Sequence, residues 1–440
     1  MTTKASLWRH PDFLKLWAGE TVSVFGSSIS QLAIPLVAIL TLDATTFEVG
    51  ALSAVETAPF LLVALWAGVF VDRRKRRPVL IGADLGRAVV LGSIPVVYWL
   101  GGMNHEHRFA GLAQLYAVAL VAGVLTVFFD VAYQSYLPSL VDREQIAEGN
   151  SKLSTTEAAA QLAGPGAAGA LIGWLKAPVA IAADALSFLV SAVAVAAIRK
   201  PEPEIEVPEG GHGSVRSDIA EGLRYVTRHP MLKKIAACTG TSNLGSSLAM
   251  AVFTVFLVRE LDYSPALIGL VFSLGSIGFL VGALVSARVT KWLGLGRTIL
   301  WSAALSPTGM LVVPFLPHNK AISAPVVVAG SIVTGVMIPV YNIGQVSLRQ
   351  AITPARLQGR MNASMRFIVW GAMPLGGLLG GALGSLVSLR VTIGIGAAIT
   401  ATAFLWVLFS PVRSLVEIPD VDEPTGTDAL DLARDEEPVA

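Results

Sequence analysis

The phrase Arg9-His10-Pro11, followed by Gly26-Ser27-Ser28, returns as Arg228-His229-Pro230 followed by Gly245-Ser246-Ser247, at one constant offset. Gly50 and Phe60 are answered by Gly269 and Phe279 at the same offset. Farther along each copy the register slips by about seven residues, and Asn150, Gly164 and Gly169 then correspond to Asn362, Gly376 and Gly381. Agreement in four separate regions marks a duplicated chain. Each copy opens a train of about six long apolar stretches. Two bundles related as parallel repeats are the build of a large class of secondary carriers.

Composition sets the medium. Apolar residues make up 53% of the chain and charged residues 14%, with mean hydropathy +0.65, far from the balance of a soluble domain. A hydrocarbon core of roughly 30 Å needs about 20 apolar residues per helix. Stretches of that length lie at 13–42, 48–71, 79–101, 110–138, 145–175, 178–198, 231–258, 266–288, 297–316, 322–348, 359–387 and 390–410. The expected fold is therefore an all-α integral membrane protein of twelve spans in two pseudo-symmetric six-helix bundles. A membrane barrel is excluded, because its strands alternate over about ten residues and these runs are twice as long and apolar all round.

Basic residues fix the expected orientation. With a cytoplasmic amino terminus, the inner loops hold Arg73 to Arg77, Arg143, Arg199, Lys200, Arg216, Arg224, Arg228, Arg288, Lys291, Arg297, Arg356 and Arg360, whereas the outer loops hold only Arg108, Lys176, Arg259, Lys320 and Arg390. Both termini are then cytoplasmic and the protein is a multi-pass component of the cell membrane. No short apolar segment with a small-residue cleavage site precedes the first span, so no removable leader is expected. The chain divides into a first bundle over 1–198, a linker over 199–230, a second bundle over 231–412 and an acidic tail over 413–440, expected to be disordered. Within the linker, Ile219, Leu223 and Val226 fall at helical spacing and predict a short amphipathic helix at the membrane surface. Cys238, the single cysteine, has no partner for a disulfide and reads as a small packing residue. A net charge of +1 gives no reason to expect nucleic acid.

The strongest local motif is Gly68-Val69-Phe70-Val71-Asp72-Arg73-Arg74-Lys75-Arg76-Arg77, at the cytoplasmic end of the second span. It resembles the signature between the second and third helices of the major facilitator superfamily. In that signature the glycine permits close helix contact, and the aspartate meets helix amino termini or basic partners across the cytoplasmic face. Lys75 departs from it, standing where the superfamily often has glycine. Phe129-Asp130 through Pro138, Asp184 to Leu189, Glu221 to Val226, and Ser347 to Pro354 with Gly359-Arg360 are similar to the branch of enterobactin-type and macrolide-type exporters. In the fifth span Gly164-Pro165-Gly166 with Gly169 resembles the antiporter motif of drug/proton exchangers, with Ala168 in place of a second glycine. The resemblance implies export of an amphipathic small molecule, usually at the expense of the proton gradient. The residues alone imply a carrier and leave its direction open.

Ionisable groups inside the spans point to mechanism, since each costs several kcal/mol unless paired or wet. They are Glu20, Glu56, Asp84, Arg87, Asp130, Glu157 and Asp184 in the first copy, against mainly Arg349 and Arg366 in the second. At equivalent positions Glu20 faces Thr239, Glu56 faces Gly275, Asp130 faces Asn342 and Glu157 faces Val369. One copy alone holds acids. All six histidines fall in loops, at span ends or in the linker, which leaves carboxylates as the intramembrane proton carriers. Asp84 and Arg87, three apart on one helical face, read as an ion pair, and Asp184 reads as structural.

The expected coupling and substrate residues are therefore Glu20, Asp130, Glu157 and Glu56, with Tyr341 and Asn342 in the tenth span. The expected conformational residues are Gly68, Asp72, Arg73, Arg76, Arg77, Gly164, Pro165 and Gly169. In the resembled superfamily the first, fourth, seventh and tenth helices line the cavity. The expected partners are a small-molecule substrate, protons and the bilayer, with the chain functional as a monomer. Proton-linked uptake and a non-transporting receptor are the alternatives. An enzyme is not expected, because no nucleophile-and-base phrase, phosphate loop or metal-ligand cluster is present; no cofactor or metal follows.

Overall fold

In the computed structural model the described residues are 6–142, 145–202, 215–354 and 357–417, and among them there is no strand. The first copy forms α1 (Pro11–Leu36, prolonged by a π-helical turn Val37–Thr41), α2 (Thr46–Leu62), α3 (Ala64–Asp72), α4 (Arg76–Trp99), α5 (Arg108–Leu140), α6 (Ile146–Leu175) and α7 (Ala177–Ala196). A connecting helix α8 (Val215–Arg228) leads to the second copy. That copy forms α9 (Pro230–Arg259), α10 (Pro265–Leu293), α11 (Leu295–Leu305), α12 (Thr308–Val312), α13 (Lys320–Ala351), α14 (Gln358–Leu386), α15 (Leu389–Thr402) and α16 (Phe404–Leu408). Every predicted stretch is helical, and among the described residues ten helices are long and apolar enough to cross a bilayer. The second and fifth stretches differ for visible reasons. The second breaks at Val63 between α2 and α3, and the fifth, α6, is diluted by Ala, Gly and Gln161 around Pro165.

The repeated phrases have repeated jobs. His10 caps α1, its Nδ1 accepting from the Phe13 N–H at 3.1 Å, and His229 caps α9 by accepting from Met231 and Leu232 at 3.2 and 3.3 Å. Pro11 and Pro230 follow in the first turn, where the missing N–H costs nothing. Gly26 lets α1 close on Ser187 of α7, and Gly245 lets α9 close on Gly396 and Thr400 of α15. Ser28 and Ser247 complete the symmetry: a methyl added at Gly164 would lie 2.6 Å from Ser28 Cβ, and one at Gly376 would lie 2.7 Å from Ser247 Cβ. Small residues therefore hold the same helix pairs together in each half.

Between halves the glycines cross over. Gly50 of α2 abuts Gly381 of α14, where an added methyl would lie 2.5 Å from the partner Cα; Gly169 of α6 abuts Gly269 of α10, with the corresponding distance 2.9 Å. Gly50 is the repeat equivalent of Gly269, and Gly169 of Gly381, so the two contacts are one contact made twice. Both lie at the end of the molecule away from the described termini. Arg259 reinforces that end by reaching Asp43 at 3.0 Å and the Ala44 carbonyl at 2.8 Å. Toward the termini, at Gly68 in α3 and Gly359 in α14, an added methyl would meet no described atom within 4 Å. At the signature glycine, Gly68, the space an added Cβ would take is thus open among the described residues.

The connecting helix spans Ile219, Leu223 and Val226, the residues whose spacing predicted a helix. Val226 is fully buried against the second half, Gly222 sits against the Arg360 and Ser364 turn of α14, and the Tyr225 hydroxyl donates to the Ile352 carbonyl at 3.1 Å. Glu221 pairs with Arg360. Leu223 is exposed, and the Ile219 side chain lies outside the described residues. The helix is thus docked on protein through Val226 and Gly222. At the other end of the linker, Glu202 accepts from the backbone N–H groups of Arg76 and Arg77 at 2.7 and 3.2 Å, capping α4. The rest of the linker, 203–214, and tail residues 418–440 lie outside the described residues.

Candidate functional site: a central cavity above a cluster of acids

A cavity of about 780 Å³ lies between the halves, below the glycine seal. α1, α2 and α6 wall it on one side, and α9, α10, α13 and the segment around α12 wall it on the other. Its polar lining follows helical period. On α9, Thr239, Ser242, Asn243 and Ser246 fall at i, i+3, i+4 and i+7, one stripe of an α-helix. Gln31 and Gln161 add amides from the first half, and Phe253, Phe272 and Phe279 add aromatic surface. Glu56 is the single ionisable acid among the wall residues, and it makes no ion pair or hydrogen bond among the described residues. Tyr341 shares a 2.7 Å hydrogen bond with Thr239, and its neighbour Asn342 is exposed into the cavity.

The other predicted acids gather nearer the termini. Glu157 lies one turn before Gln161 and two before Pro165, on the cavity-facing stripe of α6, and is exposed. Glu20 lies two turns before Ser28 on α1, with Oε2 buried and unpartnered. Asp130 on α5 is half-buried. Glu20 is within electrostatic reach of Asp130 and Glu157, and Asp130 is also within reach of Arg366 on α14 in the other half. None of these three carboxylates forms an ion pair among the described residues, because the nearby Arg87 is committed elsewhere. Its guanidinium bonds Asp84 at 2.5 Å and is sandwiched between Phe129 and Phe188, 4.3 and 4.0 Å from the ring centres. The predicted Asp84 and Arg87 pair therefore forms and belongs to the packing of α4, α5 and α7.

Structure brings together Glu20, Asp130 and Glu157 in one group, and Glu56, Tyr341 and Asn342 in the cavity wall. Among the described residues the fourth span, α5, supplies no wall residue to the cavity, so Asp130 is not part of its lining. Gly164 and Gly169 have the packing roles given above. Next to Pro165, the Gly166 N–H donates to Ser273 Oγ of the other half at 2.7 Å. Arg76 and Arg77 begin α4, while Arg73 is exposed in the preceding loop; the Asp72 side chain lies outside the described residues. Asp184 is buried and accepts from Ser187 Oγ at 3.1 Å, a packing role against α1. The neutral stripe on α9 was missed by reading charges alone. Its signal was present: Thr239, Ser242, Asn243 and Ser246 fall at i, i+3, i+4 and i+7 within a predominantly apolar span.

Comparison with known proteins follows the same lines. The family described as transmembrane secretion effector matches residues 2–436. A multidrug efflux pump, Tap, of Mycolicibacterium fortuitum is 27% identical over 87% of this chain and 91% of its own length. Macrolide efflux protein A of Streptococcus pyogenes is 24% identical over 83% of this chain and 88% of its own. Among solved structures, a bacterial homologue of the iron transporter ferroportin in its inward-facing state superposes with a TM-score of 0.74 at 16% identity, covering 93% of this chain and all of its own.

Proposed function

The chain belongs to the transmembrane secretion effector family of the major facilitator superfamily, a family of transporters and not of enzymes, and from that premise we propose that it exports amphipathic small molecules in exchange for protons. The two relatives named as efflux pumps support the direction. The observation that carries the coupling is the group Glu20, Asp130 and Glu157: three carboxylates of one half, within electrostatic reach of one another and without ion-pair partners among the described residues, on the terminal side of a cavity whose wall holds one further acid, Glu56. A bare carboxylate carried through the bilayer centre is costly. The carrier therefore switches between its two open forms only when protons or cargo neutralise these groups.

The cycle runs as follows. The termini are cytoplasmic, so the described state is open inward. Cargo enters past the acids; its apolar body rests on Phe253, Phe272 and Phe279, and its polar groups on the α9 stripe and Glu56. The halves, two six-helix bundles over 1–198 and 231–412, then rock about the paired glycines and open the far end. Protons arriving there neutralise the acids and release the cargo outward. One chain suffices for this cycle.

The test uses proteoliposomes with an imposed pH gradient and ethidium as probe. Expected are ethidium accumulation against its gradient, proton counterflow and loss of both on adding an uncoupler. Ethidium moving in the same direction as protons would replace exchange by uptake. Binding without any ethidium-induced proton flux would replace the carrier by a receptor.

A further inference from the structure

A second groove, of about 650 Å³, lies on the flank of the first half and is separate from the central cavity. All its walls come from α3, α4, α5 and the loop between α3 and α4, with none from the other half. The floor is apolar: Phe70 and Phe128 meet edge to face with centroids 5.3 Å apart, and Leu125 continues the surface. Its rim is cationic. Arg73, Arg74 and Lys75 are exposed, none forms an ion pair among the described residues, and the Arg74 guanidinium stands 4.5 Å over the Phe70 ring.

Two neighbouring cations of the same run behave differently. Arg76 pairs with Glu202 at 3.5 Å and Arg77 donates to the Ala196 carbonyl, so both are occupied within the protein. Among the described residues the three at the rim have no anionic partner. A soluble anion would use the cations and leave the aromatic floor bare, whereas a neutral lipid would cover the floor and leave the cations unanswered. An amphiphile with an anionic head and a hydrocarbon chain satisfies both, and basic pockets between spans at the membrane boundary suit such head groups. We propose that this groove binds one anionic phospholipid of the adjacent leaflet, its phosphate on Arg73, Arg74 and Lys75 and one acyl chain along Phe70, Leu125 and Phe128.

The test is native mass spectrometry of the full-length protein, titrated separately with phosphatidylglycerol and phosphatidylcholine. One phosphatidylglycerol is expected to be retained in preference to phosphatidylcholine. At about 1 kcal/mol per basic residue near the surface, Arg74→Gln with Lys75→Gln should weaken that retention roughly thirtyfold. Phe128→Ser should also weaken it while leaving the cations in place, and melting in phosphatidylcholine confirms that each variant folds. Equal retention of the two lipids, or retention unchanged in both variants, would overturn the assignment. Displacement of phosphatidylglycerol by inorganic phosphate would also overturn it, by identifying a site for free anions.

Discussion

Asp130 of α5 and Asn342 of α13 are repeat equivalents, as are Glu20 of α1 and Thr239 of α9, yet the first member of each pair is an acid and the second is neutral. The scaffold positions did not diverge in this way. His10 and His229 cap equivalent helices, and Gly50 and Gly269 make equivalent contacts across the interface. Duplication preserved what packing demands of both halves and freed the cavity-side positions to specialise. The first half carries the acids Glu20, Asp130 and Glu157, while the second supplies a hydroxyl and amide surface to the cavity.

The comparison breaks most visibly at the acids. Glu20→Gln or Asp130→Asn should reduce gradient-driven transport to background while cargo exchange at equal pH continues. Thr239→Ala and Asn342→Ala, the equivalent changes opposite, should leave coupling intact and raise the half-saturating cargo concentration several-fold, since each removes a neutral hydrogen-bonding group worth about 1 kcal/mol. Parallel flux assays on the four variants decide it; equal loss of coupling in both halves would remove the asymmetry.

The shared scaffold makes the opposite prediction. Gly50→Ala and Gly269→Ala force methyls into backbone and should hinder closure of the far end equally, each costing about 1–3 kcal/mol. Accessibility of a cysteine placed near Asp43 to a membrane-impermeant thiol reagent, in a Cys238→Ala background, reads that closure. A large effect at one glycine and none at the other would show that the two contacts are not equivalent.

The smallest effect belongs to the caps. His10→Ala and His229→Ala should each lower stability by about 1 kcal/mol, as loss of a helix cap does elsewhere, with transport per folded molecule unchanged. Thermal unfolding in detergent, read beside transport, checks it.

Most of the fold was legible because the bilayer makes span length and apolarity explicit, and because caps and glycines are dictated by local geometry that sequence displays directly. Gly169 and Gly381 were visible as repeat partners, but their crossing to Gly269 and Gly50 required the interface. The acids were legible as costly exceptions within apolar runs. The α9 stripe was less so, since Thr239, Ser242, Asn243 and Ser246 carry no charge and each is tolerable in a span; only their shared face distinguishes them. Leu223 and Val226 were legible as one turn of a helix. Apolar spacing predicts a buried face without saying whether protein or lipid covers it, and Gly222, which admits α14, settled that locally.

Exchange depends on acids that hold protons until cargo displaces them. The direct measurement is the number of protons released when ethidium is added to the purified protein in weakly buffered detergent solution near neutral pH. Release is predicted for the natural protein and for Asn342→Ala, with little or none when Glu20→Gln, Asp130→Asn and Glu157→Gln are combined and ethidium still binds. Undiminished release from that triple variant would contradict it.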